Sequence, residues 1–125
     1  MTAPSIWRRT RNTLRRRRQK QTPTIDVNDE GFVFTFRKRE SRMGWDEVTR
    51  IDAGMRDYLS FDALYVVMMA GKREIEIDEL DDGFRVFEHA LFARWPEIRT
   101  AWNKLLASNP HEPQHQTLWR RDERA

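Results

Sequence analysis

Residues 74–91 read EIEIDELDDGFRVFEHAL, and the spacing of their apolar positions changes part-way along. Ile75 and Ile77 alternate with Glu74, Glu76 and Asp78, which puts isoleucine on one face and acid on the other, as in an amphipathic strand. After Asp81-Asp82-Gly83 the pattern becomes Phe84, Phe87 and Leu91, at i, i+3 and i+7, one face of a helix. The acids ahead of that helix are expected to cap its first turn and complement its dipole.

Working outward, the upstream chain reads as strands. Ile25-Asp26-Val27 alternates and stops at Asn28-Asp29-Glu30-Gly31, a turn in which Gly31 supplies the positive φ. Phe32, Phe34 and Phe36 then alternate with Val33, Thr35 and Arg37, a strand with one buried face. Lys38-Arg39-Glu40 and Met43-Gly44 read as punctuation, and Trp45, Val48 and Ile51 lead into a strand from about Val48 to Leu59. Ala63 to Ala70 is nearly all apolar, which suits a strand covered on both faces, and Gly71-Lys72 is a tight connection.

Downstream, Trp95-Pro96 ends the first helix, because the residue before proline is pushed out of the helical region. Ile98, Ala101, Trp102 and Leu105 mark a second helix from Glu97 to about Ala107. Strands followed by helices, without alternation, predict an α+β fold with an antiparallel sheet covered by helix. Its body spans 25–107, followed by a polar tail over 108–125 in which Leu118-Trp119 docks as an extra strand or plug, or serves as an exposed partner anchor.

Charge divides the chain unevenly. Residues 1–25 hold no acid, yet Arg8, Arg9, Arg11, Arg15, Arg16, Arg17, Arg18 and Lys20 supply 8 of the 23 Lys and Arg. From residue 21 onward the count is 15 bases against 20 acids, so the formal +3 conceals a cationic arm over 1–24 on an anionic body. Such a run repels itself, which predicts a partly disordered or helical arm that stays solvated until it meets an anionic surface. A membrane is the first such surface: Trp7, with Ile6 and Leu14, can enter a lipid interface beside the arginines. Weak, sequence-independent nucleic-acid binding is an alternative, since arginine's planar fork pairs with phosphate. An acidic protein partner, the protein's own stripe of Glu74, Glu76 and Asp78, or a purely solubilising arm are the others.

Composition narrows the rest. At 125 residues a single domain is expected, and five Trp with seven Phe furnish large buried areas. The absence of cysteine removes disulfides, thiolate zinc sites and a cysteine nucleophile. No apolar run reaches the length of a membrane span, and no continuous apolar stretch follows Arg8-Arg9 as a secretory signal requires. An acid-free, arginine-rich start also matches a mitochondrial transit peptide in composition.

Several residues resemble a family of small uncharacterised bacterial proteins with a pleckstrin-homology-like barrel. They are Asp29-Glu30-Gly31-Phe32, Gly44-Trp45-Asp46-Glu47-Val48, Asp57 with Asp62, the Glu79-to-Phe84 turn into Phe87, Trp95-Pro96-Glu97-Ile98 with Trp102, and Thr117-Leu118-Trp119-Arg120-Arg121. The resemblance implies a curved antiparallel sheet or partly open barrel closed by C-terminal helix, in a bacterial cytoplasm. It implies no activity and no catalytic residues, and phosphoinositide binding does not carry over with the fold.

Catalytic and metal motifs are weak. His111-Glu112-Pro113-Gln114-His115 matches the zinc-protease pattern, but Pro113 sits where a continuous helix must run, so a solvated tail is expected. Asp78-Glu79-Leu80-Asp81-Asp82-Gly83 has the composition of a calcium loop with Leu80 at a ligand position. His89 falls on a polar or boundary helix face, and the isolated glycines form no phosphate cradle. Trp45, Trp95 and Trp102 read as core. An enzyme would need His89, or a pair from Asp57, Asp62 and Glu79, to converge in a pocket. The expectation is a non-enzymatic interaction module without cofactor or metal, cytoplasmic and peripheral to the membrane where its arm engages one.

Overall fold

The computed structural model describes residues 22–58, 61–108 and 114–121. The α+β expectation holds, and the strands fall into two antiparallel sheets rather than a closed barrel. The first sheet runs β1 (Thr24–Val27), β2 (Gly31–Phe36) and β3 (Arg39–Gly44) in that order. The second holds β4 (Arg50–Asp57), β5 (Asp62–Ala70), β6 (Arg73–Asp78) and β7 (Gln114–Arg120) in the order β6-β5-β4-β7. Helices α1 (Phe84–Arg94) and α2 (Arg99–Leu106) lie in the chain between β6 and β7, with a 3₁₀ turn over Pro96–Ile98 joining them. Another 3₁₀ turn, Trp45–Glu47, links the two sheets.

The core lies between sheets and helices. Phe32, Trp45 and Phe87 meet with ring centroids 5.3 to 6.3 Å apart, and Phe84 and Phe92 pack on Trp102. Leu91, Ile98 and Leu105 complete the helical contribution, as their spacing predicts. Aromatic pairs at such separations contribute about 0.5–1.5 kcal/mol each beyond the area they bury.

Four local expectations are corrected. Gly31 is not needed for a positive φ: the turn closes through Asn28, whose Oδ1 accepts from the Glu30 and Gly31 N–H groups at 2.8 and 3.0 Å. Glycine is required there because a Cβ would stand 2.1 Å from the Met43 carbonyl oxygen. Residues 39–44 are not mere punctuation but the return strand β3, entered through Arg37 and Lys38 at φ 53° and 66°. The strand expected over Val48–Leu59 is β4, Arg50–Asp57, and Leu59 lies outside the described residues.

The fourth concerns the acids before α1, which do not cap it with their side chains. Gly83, at φ 92°, takes the N-cap position, while Asp81 Oδ2 turns back to accept from the Asp78 N–H at 2.9 Å. Asp78 itself is buried, not part of a solvated stripe, because its carboxylate accepts from Tyr58 Oη at 2.6 Å and from the Leu80 N–H at 2.8 Å.

Candidate functional site

The outer face of the second sheet carries the most developed polar constellation among the described residues. Alternation along β4 sends Ile51 and Ala53 into the core and leaves Arg50, Asp52 and Arg56 on the opposite face. Pairing with β5 and β7 places Tyr65 and His115 opposite Gly54, one on each side. Glycine supplies no side chain between them, so the phenol and the imidazole meet across β4. Their rings stack at 22° with centroids 5.8 Å apart, and Tyr65 Oη lies 2.7 Å from His115 Nδ1.

The chain of contacts continues in both directions. His115 Nε2 is 3.1 Å from Asp52 Oδ2, and Arg50 Nε donates to Asp52 Oδ1 at 2.8 Å. Beyond Tyr65, the Arg56 guanidinium sits 4.2 Å above the phenol ring and pairs with Glu76 at 2.5 Å. Asp52 is 1% exposed although it lies on an outer face, whereas the His115 side chain remains 50% exposed.

These contacts decide the protonation states. Burial pushes the Asp52 carboxyl up, but hydrogen bonds from Arg50, Thr117 and His115 outweigh it and hold the group below its ordinary range. Burial pushes the Tyr65 phenol up, and the Arg56 charge offsets part of that rise. Burial pulls Arg56 down while the Glu76 carboxylate outweighs it, leaving the guanidinium's pKa raised. The face thus holds a charged carboxylate, a charged guanidinium and a neutral phenol around one imidazole.

A separate cleft of about 850 Å³ lies beside the 3₁₀ turn over Trp45–Glu47 and the end of α1. Trp45, Trp95 and Trp119 form its aromatic wall, with Asp29, Asp46 and Arg121 at the rim. Trp95 packs on Trp45 at 6.0 Å and on Trp119 at 5.2 Å. Asp46 pairs with Arg94, and its carbonyl accepts from Arg121 at 2.5 Å. Trp45 and Trp95 are buried core rings, as their spacing predicts, and Trp119 is only partly covered.

The residues singled out in the sequence fall as follows. Trp7 and the bases from Arg8 to Lys20 lie outside the described residues, as do His111, Glu112 and Pro113. His115 is not in a solvated tail: it belongs to β7, an extended strand, which removes the helical geometry of the zinc motif at that end. Among the described residues no group of three or more His, Asp or Glu is placed to hold a metal ion. His89 is exposed and lines a shallow cleft with Arg85, Phe92 and Arg99. Asp57 and Asp62 face each other across the β4–β5 ladder, while Glu79 accepts from the Leu64 N–H at 2.6 Å. The residues that do converge, Asp52, Tyr65 and His115, were not among those expected.

No known family model, curated protein or solved structure matches this chain. No helix among the described residues is long and apolar enough to cross a membrane.

Proposed function

We propose that this chain is an interaction module whose arginine-rich arm is drawn to an anionic surface, a membrane before any other. The observation that carries the reading is the partition of charge: eight bases and no acid over residues 1–25, against an excess of acid thereafter. Six body arginines, Arg42, Arg50, Arg56, Arg73, Arg85 and Arg94, each pair with a carboxylate. The arm carries the densest run of bases in the chain, and each basic residue contributes about 1 kcal/mol near anionic lipid. The pleckstrin-homology-like reading of the fold belongs to this proposal. Its support is a seven-stranded pair of sheets with helices packed across them.

Flotation of the full chain with phosphatidylcholine vesicles, with and without phosphatidylserine, tests it. Binding is expected only to the anionic vesicles. Replacing Arg15, Arg16, Arg17 and Arg18 together by glutamate should weaken it by at least about 10³-fold. Equal recovery from both vesicles, or an unchanged charge-reversed variant, removes the membrane reading. Capture of the chain by a duplex oligonucleotide in preference to the vesicles would move the arm's target to nucleic acid.

A further inference from the structure

We propose that Tyr65 is a nucleophilic modification site for activated carboxylic esters, with His115 as its base and Asp52 orienting that base. The inference goes beyond the interaction reading and rests on none of its observations. Three strands contribute one member each, β5 the phenol, β7 the imidazole and β4 the carboxylate.

One tautomer satisfies both ring nitrogens. With the proton on Nε2, His115 donates to Asp52 Oδ2 at 3.1 Å and leaves Nδ1 free to accept from Tyr65 Oη at 2.7 Å. This is the order that nucleophilic side chains of high pKa require: hydroxyl, base in contact with it, and a third group fixing the base. Asp52, buried and charged, favours the imidazolium that forms when the proton moves. Arg56, 4.2 Å over the ring, favours the phenolate, while the Glu76 and Asp52 charges oppose it. The raised Tyr65 pKa keeps the phenol protonated at neutral pH, so it needs the imidazole to react. Exposure of the Tyr65–His115 contact lets a small acyl group approach.

The step balances without another reactant. Tyr65 Oη attacks the ester carbonyl carbon while its proton passes to His115 Nδ1. The new O–C bond forms, the bond from the carbonyl carbon to the leaving oxygen breaks, and that oxygen departs with the electron pair. The imidazolium then returns the proton to the leaving group or to water. The product is an acyl ester on Tyr65, a stoichiometric modification.

The test is p-nitrophenyl acetate added to the full chain at neutral pH, following nitrophenolate release and mapping the acetyl group by peptide mass spectrometry. A burst of one equivalent with acetyl on Tyr65 is expected, and Tyr65→Phe should abolish both. His115→Gln should slow acetylation by about 10²-fold, the order of a general-base contribution. His115→Ala should regain rate on addition of imidazole, which a merely structural role for the ring would not allow. Should either His115 variant fail to fold by circular dichroism, the Tyr65→Phe comparison decides alone. Acetyl found on lysines or on His115 instead, or a burst surviving Tyr65→Phe, overturns the proposal.

Discussion

Ile51, Ala53, Val66, Met68, Ile75 and Ile77 line the inner face of the second sheet, whereas Arg50, Asp52, Arg56, Tyr65, Glu76 and His115 stand on its outer face. Both faces are held by the same backbone ladder, yet they follow different physics. The inner face needs only apolar volume at alternate positions, and many sequences satisfy that. The outer face needs particular donors opposite particular acceptors, because its buried carboxylate is tolerable only when bonded. Composition decides one face; partners decide the other.

Ile77→Ala probes the inner face most directly. Ile77 is fully buried, so deletion should cost about 2–5 kcal/mol in a denaturant melt. A loss below about 1 kcal/mol would mean that the inner face packs too loosely for volume to matter.

On the outer face, Asp52→Asn keeps shape and removes charge. It should cost about 1–3 kcal/mol, since Arg50 then loses its carboxylate and His115 its charged acceptor. The same pair of proteins separates with pH. Asp52 has a folded pKa below its ordinary 3.8, so its stabilisation is present above that value and fades as pH falls through the folded value. The stability gap between the parent and Asp52→Asn should therefore narrow below about pH 4. A gap that fails to narrow below about pH 4 would show that Asp52 is not the charged member of the group.

Arg56→Lys is the mildest of these changes. It keeps the charge but loses the planar fork on Glu76 and much of the stacking on Tyr65, for about 0.5–1 kcal/mol. An unchanged melt would show that charge alone, without guanidinium geometry, organises this part of the face.

Legibility in the sequence follows the same division. The inner face, both helices and the break at Trp95-Pro96 were readable because alternation, helical spacing and proline each act on neighbouring residues. The hairpin turn at Arg37-Lys38 was not, since two basic residues at positive φ replace the usual glycine or asparagine signal. The Asp52–His115–Tyr65 chain was also hidden. His115 lies far along the chain from both partners, and nothing local states that β7 will lie beside β4 in the register that sets His115 against Gly54. An isolated glycine inside the β4 pattern, flanked by Arg50, Asp52 and Arg56, was the one available hint.

The placement of β7 also bears on how this protein is made. On the ribosome, β4 and β5 emerge long before Gln114–Arg120, so one margin of β4 waits uncovered while both helices are synthesised. During that interval its amide and carbonyl groups are open to any extended segment, including the same strand of a nascent neighbour. A translational pause ahead of residue 114 would lengthen that exposure and favour aggregation, even in a chain whose finished form is sound.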